Sequence, residues 1–142
     1  VIYNPKTVPD TIVKCLTTGD RAVQISSRQG YSRCSVCVVS DNAIITADEG
    51  ICRSAEAYGI DVLKIRPGYI DLPGFDHGFI GGASFKISDT KLAFTGRLDS
   101  HPDAEQMIGF TSLHNVDIVY ITDKPAFDIG GAIPIIEASK RA

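Results

Sequence analysis

The stretch "GFIGGASFKI" (residues 78–87) has the look of a glycine loop built to cradle a phosphate, and its centre recurs as Ile129-Gly130-Gly131-Ala132. A Phe-Asp pair precedes each copy, Phe75-Asp76 and Phe127-Asp128. Within the first copy, Phe79, Gly81, Ala83, Phe85 and Ile87 alternate with Ile80, Gly82, Ser84, Lys86 and Ser88. A period of two predicts a strand. The element that follows also reads as a strand, so the helix N-terminus on which a P-loop or Rossmann turn seats its phosphate is absent. Paired glycines in a strand instead mark a bulge, or the close approach of a second backbone or a ligand.

Outward from this stretch, three segments share a plan: an amphipathic helix, a Gly or Asn stop, then a β-branched strand. The first helix begins near Pro9, places Ile12, Val13 and Leu16 on one face, and ends at Gly19 before the strand "RAVQIS" (21–26). The second starts at Thr46, where Thr46-Ala47-Asp48-Glu49 has the form of a capping box. Its buried stripe is Ile51, Cys52, Ala55 and Tyr58, its stop Gly59, and "DVLKI" (61–65) its strand. The third opens at "SHPDAEQ", turns Ala104, Met107, Ile108 and Thr111 inward, and closes at Asn115 before "DIVYIT" (117–122).

Two of the helices follow hairpins, "CSVCVV" and "AIIT" about Ser40-Asp41-Asn42, and "ASFKI" and "KLAFT" about Ser88-Asp89-Thr90. Asp41 and Asp89 lie 48 residues apart, and Val62 and Ile118 lie 56 apart, the excess falling in the connection before the third helix. The unit is therefore strand, strand, helix, strand, complete twice. Its last two elements open the chain, and its first strand, "IGGAIPII", closes it.

The 142 residues, 44% hydrophobic with a net charge of −3, suit one α/β domain spanning 1–142 with a substantial core. No basic patch interleaved with aromatics is present, so nucleic acid is not an expected partner. No apolar run approaches the roughly 20 residues that span a bilayer, so neither is a membrane. Cysteines at 15, 34, 37 and 52 show no disulfide framework, and cytoplasmic thiols are the simplest reading. No charged leader precedes a hydrophobic stretch, so no secretory signal is expected, and the absence of a starting Met fits a chain that is processed, trimmed or the C-terminal part of something longer.

Repeated ββαβ units with Gly-Gly first strands resemble the pentein, or guanidino-modifying-enzyme, fold. "QGYSRCSVCVVSDNAIITADEGI" and "GYIDLPGFDHGFIGGASF" are similar to segments of an uncharacterised bacterial family assigned to that fold. The resemblance implies an α/β propeller, of which this chain holds under three units. The rest would come from absent sequence or from another chain. It also implies, for active members, a Cys that attacks a guanidinium carbon, a His that moves protons, and carboxylates that grip the guanidinium. This sequence departs from that pattern at all three places. Ile80 and Ala83 stand where the acids belong, Gln29-Gly30-Tyr31 brings no His, and no Cys follows Gly131.

The remaining candidates are weighed by residue type and position. Cys34-Ser35-Val36-Cys37 lacks the second ligand pair of a zinc site and lies in a predicted strand, so neither a metal nor a redox dithiol is expected. Cys34 alone, near the start of a first strand with Arg33 beside it, is either a nucleophile or a site-lining thiol. Cys15 and Cys52 read as core. Asp76-His77, in a long Pro- and Gly-containing connection, is the best acid/base pair, with Asp128 at the equivalent place in the next repeat. The alternative is that Asp76 and Asp128 cap turns. Tyr31, Arg33, Gly81, Gly82, Gly130 and Gly131 are expected around a small-molecule site. His101 and Asp103 read as helix-start residues, and His114 as a surface residue at a helix end. No cofactor is expected. The preferred function is binding of a small molecule, or interaction, on a pentein frame that has lost its triad. The alternative is a Cys-dependent hydrolase or amidinotransferase-like enzyme acting on a guanidino or amino compound through Cys34, His77 and Asp76.

Overall fold

A computed structural model describes residues 1–18 and 23–135. The chain is a mixed α/β protein in which three small sheets repeat one arrangement. In the first complete unit a short helix α2 (Ser32–Ser35) leads into β3 (Val36–Ser40), followed by β4 (Ala43–Thr46), α3 (Glu49–Glu56) and β5 (Asp61–Lys64), with β1, α1 and β2 preceding them in the chain as described below. The second unit is β6 (Ser84–Ser88), β7 (Lys91–Phe94), α4 (Ala104–Leu113) and β8 (Asp117–Tyr120). Each forms a three-stranded sheet with the hairpin antiparallel and the third strand parallel to the second.

The registers reproduce the offsets read from the sequence. Val36 faces Thr46 as Ser84 faces Phe94, and Ala43 faces Asp61 as Lys91 faces Asp117. Even the irregularity repeats, between Val38 and Ser40 in one sheet and between Lys86 and Ser88 in the other. Two-residue turns, Asp41-Asn42 and Asp89-Thr90, close the hairpins.

At the N-terminus, β1 (Ile2–Tyr3), α1 (Asp10–Leu16) and β2 (Ile25–Ser26) form a parallel pair with its crossover helix, the last three elements of a unit. The two-residue β1 carries too little pattern to stand out in the sequence. The expected strand over 21–26 is confined to Ile25–Ser26 among the described residues. Gly19, the expected stop, and the side chain of Leu16 lie outside them, as do residues 21 and 22.

One buried cluster joins the two complete units: Cys37, Val39 and Ile45 from the first pack with Ile80, Leu92, Phe94 and Met107 from the second. A smaller cluster of Val36, Ile44, Ile51 and Ala55 holds α3 on the other face of its sheet, with Ile2 against it. Strand β4 is buried on both faces, which is why Ala43-Ile44-Ile45-Thr46 reads as a continuous apolar run. Ile51, Cys52 and Ala55 are buried as expected, and Gly59 takes the left-handed stop at φ 75°. Tyr58, Ile12 and Ile108 are exposed instead, each at the margin of its helical stripe, and Cys15, expected in the core, is exposed as well. The cap of α3 is Asp48 rather than Thr46, its carboxylate accepting from the Ile51 N–H at 2.8 Å. Asn115 closes α4 at φ 56°. Among the described residues no helix is long and apolar enough to cross a membrane.

The glycine stretches need correction. Residues 80–83 form a turn, and strand begins only at Ser84. The Ala83 N–H reaches back to the Phe79 and Ile80 carbonyls, and the Gly82 N–H donates to the Cys34 carbonyl in the neighbouring unit. The apparent alternation fails here because residues 80–84 are buried all round. Cys34 likewise sits on α2, not on a strand. The closing strand is absent over 129–135. Gly130 and Gly131 both adopt positive φ, 81° and 87°, which strand pairing does not tolerate; Ile136 lies outside the described residues.

Candidate functional site

The two units meet where α2 of the first faces the Gly81-Gly82 turn of the second. A Cβ added to Gly81 would lie 2.3 Å from the Val36 carbonyl oxygen, so this backbone approach excludes every other residue type. A Cβ on Gly82 would lie 1.9 Å from Asp128 Oδ1. The second glycine makes room for a carboxylate, and Gly78 flanks it from the other side, 2.4 Å from Asp128 Cβ by the same measure.

Asp128 is buried and its oxygens are occupied. Oδ2 accepts from the Phe79 N–H at 2.9 Å and Oδ1 from the Gly130 N–H at 2.7 Å. Gly82 returns the contact by accepting from the Ile129 and Gly131 N–H groups. Arg33 spans the junction, Nη1 donating to the Gly81 carbonyl at 2.8 Å and Nη2 to that of Ala132 at 3.1 Å. Cys34 Sγ donates to the Gly130 carbonyl at 3.8 Å. Burial, then the Asp128 charge, pushes the Cys34 thiol above its ordinary value, and Arg33 pulls back less. Tyr31 stacks over Phe79 at 6.3 Å between ring centroids.

The fold thus brings together Tyr31, Arg33, Cys34, Gly81, Gly82, Asp128, Gly130 and Gly131, all read from the sequence as site residues. It assigns them to a backbone clasp in which every polar atom named above has an internal partner. Asp76 and His77 take no part in it. Asp76 is exposed on its loop, and His77 lines a separate pocket that includes neither Cys34 nor Asp76.

That pocket, about 120 Å³, opens at the C-terminal ends of the parallel strands β4 and β5, where open α/β sheets place ligands. Asp48, at the end of β4, reaches it while capping α3, and its Oδ2 accepts from Gln29 Nε2 at 3.1 Å. Ile65, Ile70 and Ile80 form an apolar wall, and Ser35, Arg66, Tyr69, His77 and His101 add to the polar lining.

His101, two residues before Asp103 at the start of α4, is buried. Its Nδ1 accepts from the Asp103 N–H at 3.0 Å, which leaves the ring proton on Nε2. Nε2 has no protein partner, and neither has Ser35 Oγ. Burial lowers the His101 pKa. Asp103 and the Arg66 carbonyl oppose that shift, but the carbonyl makes no aligned hydrogen bond to Nε2. Asp103 does not cap α4 with its side chain. It binds Arg66 instead, accepting from Nη2 at 2.6 Å, Nε at 3.0 Å and the backbone N–H at 2.7 Å, which holds its carboxyl below the usual range. His114, read as a surface residue, is half-buried against Phe110 and pairs with Asp61 at 2.9 Å.

Sequence reasoning missed Ser35, Asp48 and His101 as site residues. A signal existed for the last two, since each lies where a repeat's second strand gives way to its helix. Among the described residues, no three His, Cys, Asp or Glu side chains converge as metal ligands.

No curated protein matches this chain. No solved structure matches it either. A family profile covers residues 1–133, nearly the whole chain, and carries the description of a family of unknown function, DUF6873. The chain belongs to that family of unknown function, DUF6873.

Proposed function

We propose that this chain is part of a pentein-type propeller that binds a small molecule in the pocket beside His101 and Asp48, and that it performs no thiol chemistry at Cys34. The two complete ββαβ units and the β1-α1-β2 remnant count as successive blades, with further units supplied by sequence outside this chain or by another chain. The observation that carries the functional half is the separation of the candidate triad. The Cys34 thiol donates to the Gly130 carbonyl and burial pushes its pKa up, while His77 lines a pocket that does not include Cys34. A nucleophile needs a base within hydrogen-bond reach and a lowered pKa, and Cys34 has neither.

Fragment screening by chemical-shift mapping on the labelled chain tests this directly. Hits should move the resonances of Gly68, Gly78 and His77 around the pocket. Alkylation followed site by site by mass spectrometry should leave Cys34 slow at about pH 6. Rapid alkylation of Cys34 there, with hits moving Cys34 and Gly130 only, would overturn the binding reading in favour of the Cys-dependent enzyme.

A further inference from the structure

The pocket has a chemical polarity that narrows its ligand, an inference that rests on the binding role proposed above. Its lining includes two buried polar groups without protein partners, His101 Nε2 and Ser35 Oγ, in residues that are 4% and 3% exposed. Because Nδ1 already accepts from the Asp103 N–H, Nε2 can only donate while the ring is neutral. Asp48 lines the same pocket, and its carboxylate accepts one bond from Ile51 and one from Gln29 and keeps lone pairs free. Arg66 also lines the pocket, its charge offset by Asp103, which holds its Nε and Nη2.

We propose that the pocket recognises a primary amide group, whose carbonyl oxygen accepts from His101 Nε2 and whose N–H donates to Asp48, with the Ser35 hydroxyl completing the oxygen's coordination. A guanidinium fails at His101 Nε2 because it carries donors only and would set N–H against N–H. Leaving a buried donor unpaired lowers affinity by about 10- to 100-fold. A carboxylate satisfies His101 but meets the Asp48 charge without a proton to share. Volume agrees: a cavity of about 150 Å³ admits benzene, so about 120 Å³ takes a head of six heavy atoms or fewer.

The test titrates acetamide, acetate and methylguanidinium separately into the isotope-labelled full chain, reading the His101 Nε2 resonance. Acetamide should move that resonance saturably, with affinity at least about 10-fold above either ion. Ser35→Ala should weaken acetamide binding while leaving the fold intact, because it removes only a hydroxyl that has no protein partner. Methylguanidinium binding as tightly as acetamide would overturn the amide inference yet leave the binding role standing. Tighter binding of acetate would do the same. If no probe moves His101, the amide inference falls, and the fragment screen alone then decides whether the pocket binds anything.

Discussion

Replacing Gly82 with alanine should be among the most damaging single-methyl changes available in this chain, and the damage should depend on one carboxylate. The added Cβ would lie 1.9 Å from Asp128 Oδ1 and 2.3 Å from Cγ, far inside contact distance, so the carboxylate must leave its place. In leaving it loses the Phe79 and Gly130 N–H groups, donors at 2.9 and 2.7 Å to a buried charge. Hydrogen bonds to charged groups contribute about 1.5–3 kcal/mol each, so the expected loss is about 3–6 kcal/mol. That is a large share of the 5–15 kcal/mol that typically holds a domain together, roughly 10–20 °C in Tm at this length. Urea denaturation of Gly82→Ala, Asp128→Ala and the double variant forms a cycle. With the carboxylate gone the methyl has room, so the double variant should be about as stable as Asp128→Ala alone. Additive losses would show that Gly82 serves something other than Asp128 and would refute the clasp.

Four further outcomes follow from the same geometry. Asp128→Asn should lower the Cys34 thiol pKa, because the Asp128 charge raises it; alkylation rate against pH should shift to lower pH, while exposed Cys15 stays unchanged. Cys37, fully buried with its thiol pushed up to about 11, should resist alkylation until the protein unfolds. His101 has a lowered pKa in the fold, so the unfolded chain binds the extra proton first. Its contribution to stability should be complete above about pH 6.5 and decline as pH falls through the lowered folded value. His101→Gln should flatten that part of the stability–pH curve, and an unchanged slope would place the titration elsewhere. Phe94→Ala, emptying the largest fully buried side chain where both units meet, should cost about 3–5 kcal/mol in a chevron or equilibrium melt.

The repeat was legible because hairpins and parallel crossovers enforce register, and register leaves a fixed spacing in sequence. Asp41 and Asp89 revealed it, and the pairings of Val36 with Thr46 and Ser84 with Phe94 bear it out. The paired glycines were legible only as a close approach. Which partner approached depended on Asp128, nearly fifty residues further on, and no local pattern carries that. The same blindness misplaced Cys34. Its neighbours alternate like a strand, yet residues 32–35 coil so that Arg33 and the Cys34 carbonyl meet the Gly81-Gly82 turn of the next unit. Site residues gathered by that junction looked functional because glycine, aspartate and cysteine serve tight packing and catalysis alike. What separates the two is whether each polar atom is already paired in the fold. Asp128 and Arg33 are paired, while Ser35 Oγ and His101 Nε2, the latter read from the sequence only as a helix-start residue, are not; Ser84 Oγ is unpaired too but does not line the pocket. Unpaired buried polarity costs free energy that folding alone gives no reason to bear. The proposed binding site is therefore the pocket beside His101 and not the glycine clasp.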